Sequence, residues 1–127
     1  MISGIGTDLC DIRRIADLLD RHGDRFRAKV FTDAERETCD ARVEPANCYA
    51  KRFAAKEAVA KAIAGDATGA LPWHSVEVRN DPSGRPRAVL HGPAAERLGD
   101  RTVHLSLSDE PPYAQAFAIV SFAVVES

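Results

Sequence analysis

Residues 52–63 read RFAAKEAVAKAI, and this stretch determines how we interpret the rest of the chain. It contains five alanines in twelve residues and neither Gly nor Pro, so it predicts a strong helix over about residues 46–64. At about 100° per residue, its predicted buried stripe consists of Tyr49, Phe53, Ala60 and Ala64. Glu57 and Lys61 lie one turn apart on the shoulder of that stripe. They are either an ordinary ion pair at the edge of the core or reactive groups held on a rigid element.

Length and composition indicate one ordinary globular domain spanning residues 1–127. The chain has 45% hydrophobic and 28% charged residues, and its net charge of −2 argues against nucleic-acid binding. The first predicted helix is nevertheless locally basic, with an excess of three positive charges. Between residues 13 and 29 it carries Arg13, Arg14, Arg21, Arg25, Arg27 and Lys29 against Asp17, Asp20 and Asp24. This is either a basic patch or a solvated helix face.

The three cysteines, Cys10, Cys39 and Cys48, show no C-x-x-C spacing. We therefore expect partly buried thiols in a reducing cytosol rather than a disulfide framework or a zinc site. The N-terminus lacks the pattern of a signal peptide. The longest apolar run, residues 116–125, is too short to span a bilayer as a helix. These features predict a cytoplasmic protein without a membrane partner.

The first half of the chain reads mainly as helices. A short strand is predicted to stop near Asp8, and a helix opened by Asp11 is predicted to end at His22–Gly23. Thr32 and Glu35 form a capping-box pattern that begins a second helix, from Asp33 to about Arg42. The long helix follows Pro45, and residues 65–74 are predicted to be a loop.

The second half changes to the period of strands. Residues 75–80 and 87–91 predict a hairpin around the turn DPSGRP, and GPAAERLG predicts a short helix. Residues 102–108 alternate, with His104, Ser106 and Ser108 on the polar face. Residues 114–125 are apolar on both faces and predict a central strand. The fold class is therefore α+β, an antiparallel sheet packed with one long and several short helices.

Two acids stand out by their location, Asp8 at the end of a strand and Glu57 on the strong helix. Two carboxylates, a few waters and substrate phosphate oxygens are a common Mg²⁺ site, and a nearby Lys would bind the same oxygens. The polar strand face bearing His104 is also typical of any half-exposed strand. Composition and spacing thus indicate no more than a possible metal-assisted phosphate site.

Five ordered segments together resemble holo-acyl-carrier-protein synthase, the small class of 4′-phosphopantetheinyl transferase. They are GIGTDLCDIRRI, FTDAERE, AKRFAAKEAVAKAI, SGRP and HLSLSDEPPYAQAFAIV, which extend from Gly4 to Val120. The resemblance implies the fold of that family. It also implies transfer of the phosphopantetheine arm of coenzyme A to a serine of an apo acyl carrier protein, with Mg²⁺ and release of adenosine 3′,5′-bisphosphate.

The resemblance also implies site residues. Asp8 and Glu57 would be the metal ligands, and Glu57 and Lys61 the catalytic pair, with Lys61 on the pyrophosphate. The remaining coenzyme A contacts would be Arg52, His104, Ser106 and the turn Gly84, Arg85 and Pro86. Arg14 and Arg21 would bind an acidic carrier. The members of that family form homotrimers, so the resemblance also implies a homotrimer with each active site between two neighbouring subunits.

One position departs from the family pattern. A histidine commonly follows the second serine of S-x-S, and here Asp109 stands there. A carboxylate beside a polyanionic substrate is repulsive unless it points away or meets a metal.

The resemblance leaves the general base open between Glu57 and a metal-polarised water. Two rival functions are a Mg²⁺-dependent phosphoanhydride hydrolase, in which water replaces the serine, and a non-catalytic module that binds carrier proteins or coenzyme A. Turnover of coenzyme A without a carrier would indicate the first. The Asp109 substitution is the feature that favours the second.

Overall fold

A computed structural model describes residues 1–64 and 71–123 of the chain. Helices combine with antiparallel sheets in an α+β arrangement, which confirms the predicted fold class. In chain order the elements are β1 (Ile2–Asp11), α1 (Ile12–Val30), α2 (Asp33–Asp40), α3 (Pro45–Ala64), a 3₁₀ turn (Trp73–Ser75), β2 (Val76–Asn80), β3 (Pro86–Leu90), α4 (Gly92–Leu98), β4 (Thr102–Glu110) and β5 (Tyr113–Ser121).

Two antiparallel sheets organise the strands. The larger has the order β1-β5-β4, and the smaller is the predicted hairpin of β2 and β3. Strand β5 is therefore central, as predicted. It turns a row of buried small residues toward the helices: Ala114, Ala116, Ala118 and Val120. Its other face is partly open in this chain alone, where Phe117 is 39% exposed.

Helix α3 packs on β1 with backbone against backbone. A Cβ atom at Gly4 would lie 1.9 Å from the carbonyl oxygen of Ala62, and one at Gly6 would lie 2.1 Å from that of Ala58. No side chain fits at either position, so glycine is what allows the helix to approach the strand this closely. The contact aligns the last two turns of α3 with the middle of β1.

The predicted buried stripe of α3 is confirmed at Tyr49, which is fully buried, and wrong at its other three members. Phe53, Ala60 and Ala64 are only half-buried, whereas almost every other side of the helix is covered. The helix is central, because the larger sheet packs along it and β2 and the other helices also contact it. Amphipathic periodicity identifies the buried face of a helix that is covered on one side, so it does not identify the buried residues of a central helix. Glu57 and Lys61 consequently lie on its open side.

Local sequence signals correctly predicted where α1 and α2 begin. Asp11 caps α1 by accepting a hydrogen bond from the backbone N–H of Arg13, and Thr32 and Glu35 form the predicted capping box. Helix α1 does not end at Gly23 as predicted. Gly23, at φ 43°, kinks the chain, which then re-enters a helix as far as Val30.

Two further boundaries differ from the predictions. Strand β1 continues three residues past Asp8, because its pairing with β5 extends to Asp11 opposite Tyr113. Helix α2 ends at Asp40, two residues before the predicted end. Residues 65–70 of the predicted loop lie outside the described residues, and the following segment forms the 3₁₀ turn.

The expectation of three free thiols is wrong. Cys39, at the end of α2, and Cys48, in the first turns of α3, form a disulfide with their Cα atoms 5.3 Å apart. The turn between these helices brings two cysteines together that are nine residues apart in sequence. Cys10 is free and buried.

A buried ion pair attaches the hairpin to α3. Lys56 Nζ lies 2.8 Å from Glu35 Oε1, and both side chains are buried almost completely. Lys56 also donates to the carbonyl oxygens of Trp73 and Val76, while Glu35 Oε2 accepts from the N–H of Val78 at 2.8 Å. Burial lowers the pKa of Lys56, and the charge of Glu35 opposes that shift. The pair thus fixes the position of β2 relative to α2 and α3.

Across residues 1–64 and 71–123, no helix has both the length and the apolar character needed to cross a membrane.

Replacing Gly6 with Ala should destabilise the fold strongly, because the new methyl group would collide with the backbone of α3. We expect a loss of about 3 kcal/mol in the free energy of unfolding, measured by urea denaturation. Gly92→Ala is the matched control: its Cβ meets nothing, and only the positive φ of 47° opposes the change. That variant should lose about 1 kcal/mol. Equal losses in both variants would contradict the close helix–strand contact.

Candidate functional site

An acid–lysine cluster, Asp8, Glu57 and Lys61, forms where β1 meets the open side of α3. Lys61 Nζ lies 3.3 Å from Asp8 Oδ1 and donates to the carbonyl oxygen of Thr7 at 3.1 Å. Among the salt bridges of the described residues, Lys61 therefore pairs with Asp8 and not with Glu57. The interpretation of Glu57 and Lys61 as a simple helical ion pair is not supported.

Asp8 and Glu57 are close enough to interact electrostatically. Burial raises the pKa of Glu57, and the charge of Asp8 raises it further. Lys61 and Arg14 act in the opposite direction. A carboxyl group whose ionisation is opposed by burial and by a neighbouring carboxylate gains from a bound cation.

The donor chemistry of the cluster fits Mg²⁺. Asp8 and Glu57 supply carboxylate oxygens, which Mg²⁺ prefers, and this ion usually keeps waters and substrate phosphates as its other ligands. Groups of three or more metal-binding side chains are absent from the described residues. The protein would therefore contribute two ligands at this position and leave the rest of the coordination open.

A second region contains most of the other predicted residues. One cleft of about 350 Å³ runs between β3 and β4 and is lined in part by Arg85, Pro86, His104 and Ser106. A second cleft, of about 320 Å³, adjoins it and is lined in part by Arg52, Gly84 and Pro86. We call the second one the basic cleft. Both share Pro86 and Leu107, so six of the seven predicted coenzyme A residues lie around one continuous depression.

Lys61, the seventh predicted coenzyme A residue, lies elsewhere. None of the residues that line either cleft belongs to the acid–lysine cluster. Within one chain, the predicted site is therefore divided into two parts.

Arg52 is the most distinctive side chain of the basic cleft. It is only 4% exposed, and burial lowers its pKa. Its Nη1 donates to Cys48 Sγ at 3.2 Å, while its buried Nε has no hydrogen-bond partner among the described residues. A buried guanidinium with an unused donor at the wall of a cleft can bind an anion.

His104 lies on the exposed face of β4, as its alternation predicted. Its Nε2 lies 2.9 Å from Ser121 Oγ on the neighbouring strand. The side chain is thus oriented by β5 while remaining accessible from the cleft between β3 and β4.

Sequence reasoning missed several polar residues of the two clefts: Arg42, Asn47, Lys51 and Arg87. Lys51 and Arg87 directly neighbour residues that were predicted, which is the signal that could have identified them. Lys51 also explains the unusual Asp109, because the two side chains form an ion pair at 3.1 Å. The carboxylate is therefore not left as an unpaired negative charge beside the cleft.

The two arginines predicted to bind a carrier differ in their surroundings. The Arg14 guanidinium lies 5.4 Å from the centre of the Phe53 ring, and its charge reaches Glu57. Arg21 instead pairs with Asp17 at 3.1 Å on the same helix. Arg14 therefore borders the acid–lysine cluster, and Arg21 is partly neutralised.

Known proteins are similar to this chain in sequence. Residues 4–118 match the family model of the 4′-phosphopantetheinyl transferase superfamily. A holo-[acyl-carrier-protein] synthase of Methylobacterium radiotolerans is 54% identical, over 94% of this chain and 93% of its own length.

Solved structures agree in fold. The holo-[acyl-carrier-protein] synthase of Neisseria meningitidis has a TM-score of 0.83 and 37% identity, covering 95% of this chain and 99% of that one. An ACPS–CoA complex from Chronobacterium ammoniagenes has a TM-score of 0.82 and 31% identity, covering 95% of this chain and 98% of that one. The chain therefore belongs to the 4′-phosphopantetheinyl transferase superfamily, which confirms the family and the enzyme class that its motifs predicted.

Proposed function

We propose that this protein transfers the 4′-phosphopantetheine group of coenzyme A to a serine of an apo acyl carrier protein. The products are the holo carrier and adenosine 3′,5′-bisphosphate. The observation that carries the proposal is the acid–lysine cluster, held by the glycine contact of β1 with α3. Its relatives named holo-[acyl-carrier-protein] synthase and the CoA complex of one of them support the choice of substrates.

The reaction is a displacement at phosphorus. The serine oxygen forms a bond to the β-phosphorus of coenzyme A, and the bond from that phosphorus to the bridging oxygen breaks. The bridging oxygen leaves with adenosine 3′,5′-bisphosphate, and the serine proton passes to a base. Catalysis then depends mainly on positioning and on neutralising phosphate charge.

Each member of the cluster has a role in this step. Lys61 lies at the exposed end of the cluster and would bind pyrophosphate oxygens in place of its contact with Asp8. Glu57, whose pKa is raised by burial and by the charge of Asp8, or a metal-polarised water would take the serine proton. Asp8 and Glu57 would hold Mg²⁺, which when bound supplies charge neutralisation of the pyrophosphate.

The nucleotide end of coenzyme A would occupy the two clefts. Arg52 and His104 would bind the 3′-phosphate, with Ser106 and the turn from Gly84 through Arg85 to Pro86 beside the adenosine. Three cationic side chains line the basic cleft, namely Arg42, Lys51 and Arg52, which suits a polyanionic ligand.

We further propose a homotrimer of single-domain chains, each comprising residues 1–127. Strands β1 and β5 expose a row of apolar side chains away from α3, including Ile5 at 60% and Leu9 at 63%. A patch of this kind marks a protein interface. An active site between two subunits would also unite the acid–lysine cluster of one chain with the clefts of its neighbour.

Intact-mass spectrometry tests the reaction directly. An apo acyl carrier protein incubated with this protein, coenzyme A and Mg²⁺ should gain the mass of one phosphopantetheine group. Glu57→Gln should abolish the gain, as should a chelator, because each removes part of the cluster's charge.

The alternative outcomes separate the rival functions. Breakdown of coenzyme A without any carrier would identify a hydrolase instead. If coenzyme A is neither broken down nor used to modify any of several carriers, the protein is a binding module.

Reversing the charge of Arg14 should weaken use of the carrier alone. Arg14→Glu places a negative charge where an acidic partner would dock, so the KM for the carrier should rise roughly tenfold. The KM for coenzyme A should stay unchanged. Arg25→Glu, an exposed change in the same helical element, is the control and should have a smaller effect. An unchanged carrier KM in Arg14→Glu would refute the assignment.

A charge in the apolar face of the sheet should dissociate the trimer. Ile5→Glu should sediment as a single chain in analytical ultracentrifugation, whereas the unaltered protein should have the mass of three. Val43→Glu changes an apolar residue that is 99% exposed and lies outside the sheet, so it should leave the trimer intact. A monomeric unaltered protein would contradict this assembly.

A further inference from the structure

The disulfide Cys39–Cys48 closes a ring around the turn between α2 and α3. The segment between the two cysteines, which comprises the loop and the start of α3, contributes Arg42, Glu44 and Asn47 to the lining of the basic cleft. Cys48 itself lines that cleft as well. Opening or closing this disulfide therefore affects four of the ten residues that line the basic cleft.

The two sulfur atoms differ in access. Cys39 is fully buried, whereas Cys48 is 6% exposed and faces the cleft. Arg52 Nη1 lies 3.2 Å from Cys48 Sγ, and a neighbouring guanidinium favours the thiolate, which is the reactive form of cysteine. Cys48 is thus the sulfur that a small reagent in the cleft would meet, and Cys39 is placed behind it to complete an exchange.

We propose that Cys39 and Cys48 are a reversible thiol-modification site for low-molecular-weight disulfides, and that their bond tightens the basic cleft around its anionic ligand. The ligand part of this inference rests on the proposed function, because it takes the nucleotide end of coenzyme A as the occupant of the cleft.

The chemistry is a two-step thiol–disulfide exchange. The Cys48 thiolate attacks one sulfur of a disulfide RSSR, forming a mixed disulfide and releasing one RS⁻. The Cys39 thiolate then attacks the Cys48 sulfur, forming the Cys39–Cys48 bond and releasing the second RS⁻. The protein is oxidised by two electrons, the RSSR is reduced to two thiols, and the reverse sequence opens the ring.

Two effects of the bond act in the same direction. Closing the ring limits the conformations of the loop that carries Arg42, so less freedom is lost when the ligand binds. In the open form an ionised Cys48 would also neutralise Arg52, whereas a disulfide sulfur carries no charge. Both effects give the oxidised form the higher affinity, by roughly three- to tenfold.

The test compares the unaltered protein after equilibration with oxidised or with reduced glutathione. Alkylation followed by peptide mass spectrometry should show Cys39 and Cys48 protected only in the oxidised sample. Calorimetry then measures the Kd of adenosine 3′,5′-bisphosphate, a probe with no thiol of its own. We expect the Kd to be three- to tenfold lower in the oxidised protein.

Two variants serve as controls. Cys39→Ala prevents ring closure, so oxidised glutathione should convert it only to the mixed disulfide on Cys48, and its Kd should not fall below that of the reduced protein. Cys10→Ala removes the free cysteine, which lies outside the cleft lining, and should keep the full response.

The outcomes are distinct. Failure of oxidised glutathione to form the bond, or a Kd that is independent of the bond, would overturn the inference and leave the proposed function standing. A bond that forms in a protein that binds no adenosine 3′,5′-bisphosphate in either state would overturn the proposed occupant of the cleft, and with it the ligand part of this inference.

Discussion

The structure depends on the contact between the backbones of β1 and α3. Gly4 and Gly6 place the strand directly on the carbonyl groups of Ala62 and Ala58, at a distance that excludes any Cβ atom. Lys61 adjoins Ala62, and Asp8 follows Gly6 by two residues. The same packing that excludes a methyl group therefore brings a lysine and a carboxylate within hydrogen-bond distance. The chemistry of the cluster is a consequence of how closely a helix can approach a strand.

The same helix also positions the second part of the site. Lys56, one position before Glu57, is buried with Glu35 and holds the hairpin of β2 and β3. Removing one partner of such a pair leaves an uncompensated buried charge, which costs several kcal/mol, about 3–5 in measured cases. Arg52, one turn earlier, lines the basic cleft. Helix α3 thus carries Glu57 and Lys61 of the acid–lysine cluster on its open side. Its other sides carry Arg52, which lines the basic cleft, and Lys56, which holds the hairpin.

The sequence predicted features that depend on a few neighbouring residues. The capping box at Thr32, the hairpin and the alternation around His104 follow from local chemistry, and all are present. The buried stripe of α3 was wrong at three of its four positions because burial of a central helix depends on what surrounds it. The alanine content of α3 is evident from the sequence. The need for glycine at Gly4 and Gly6 is evident only from the packing of β1 against α3.

The site could be predicted only as residues, not as an arrangement. The motifs indicated Asp8, Glu57 and Lys61, yet the pairing of Lys61 with Asp8 depends on the register of α3 on β1. The bond between Cys39 and Cys48 depends on the turn between two helices, which spacing alone does not specify. The partner of Asp109 was hidden for the same reason, because Lys51 is distant in sequence and adjacent only in the fold.

The measurement that tests this account most directly is an NMR titration of the Glu57 side-chain carboxyl, in the unaltered protein and in Asp8→Asn. Burial and the proximity of Asp8 raise the pKa of Glu57. That pKa should therefore fall in Asp8→Asn, and it should fall in the unaltered protein when Mg²⁺ is added, because a bound cation favours the ionised form. A pKa that changes with neither the substitution nor Mg²⁺ would contradict the claim that the contact of β1 with α3 creates a shared cation site.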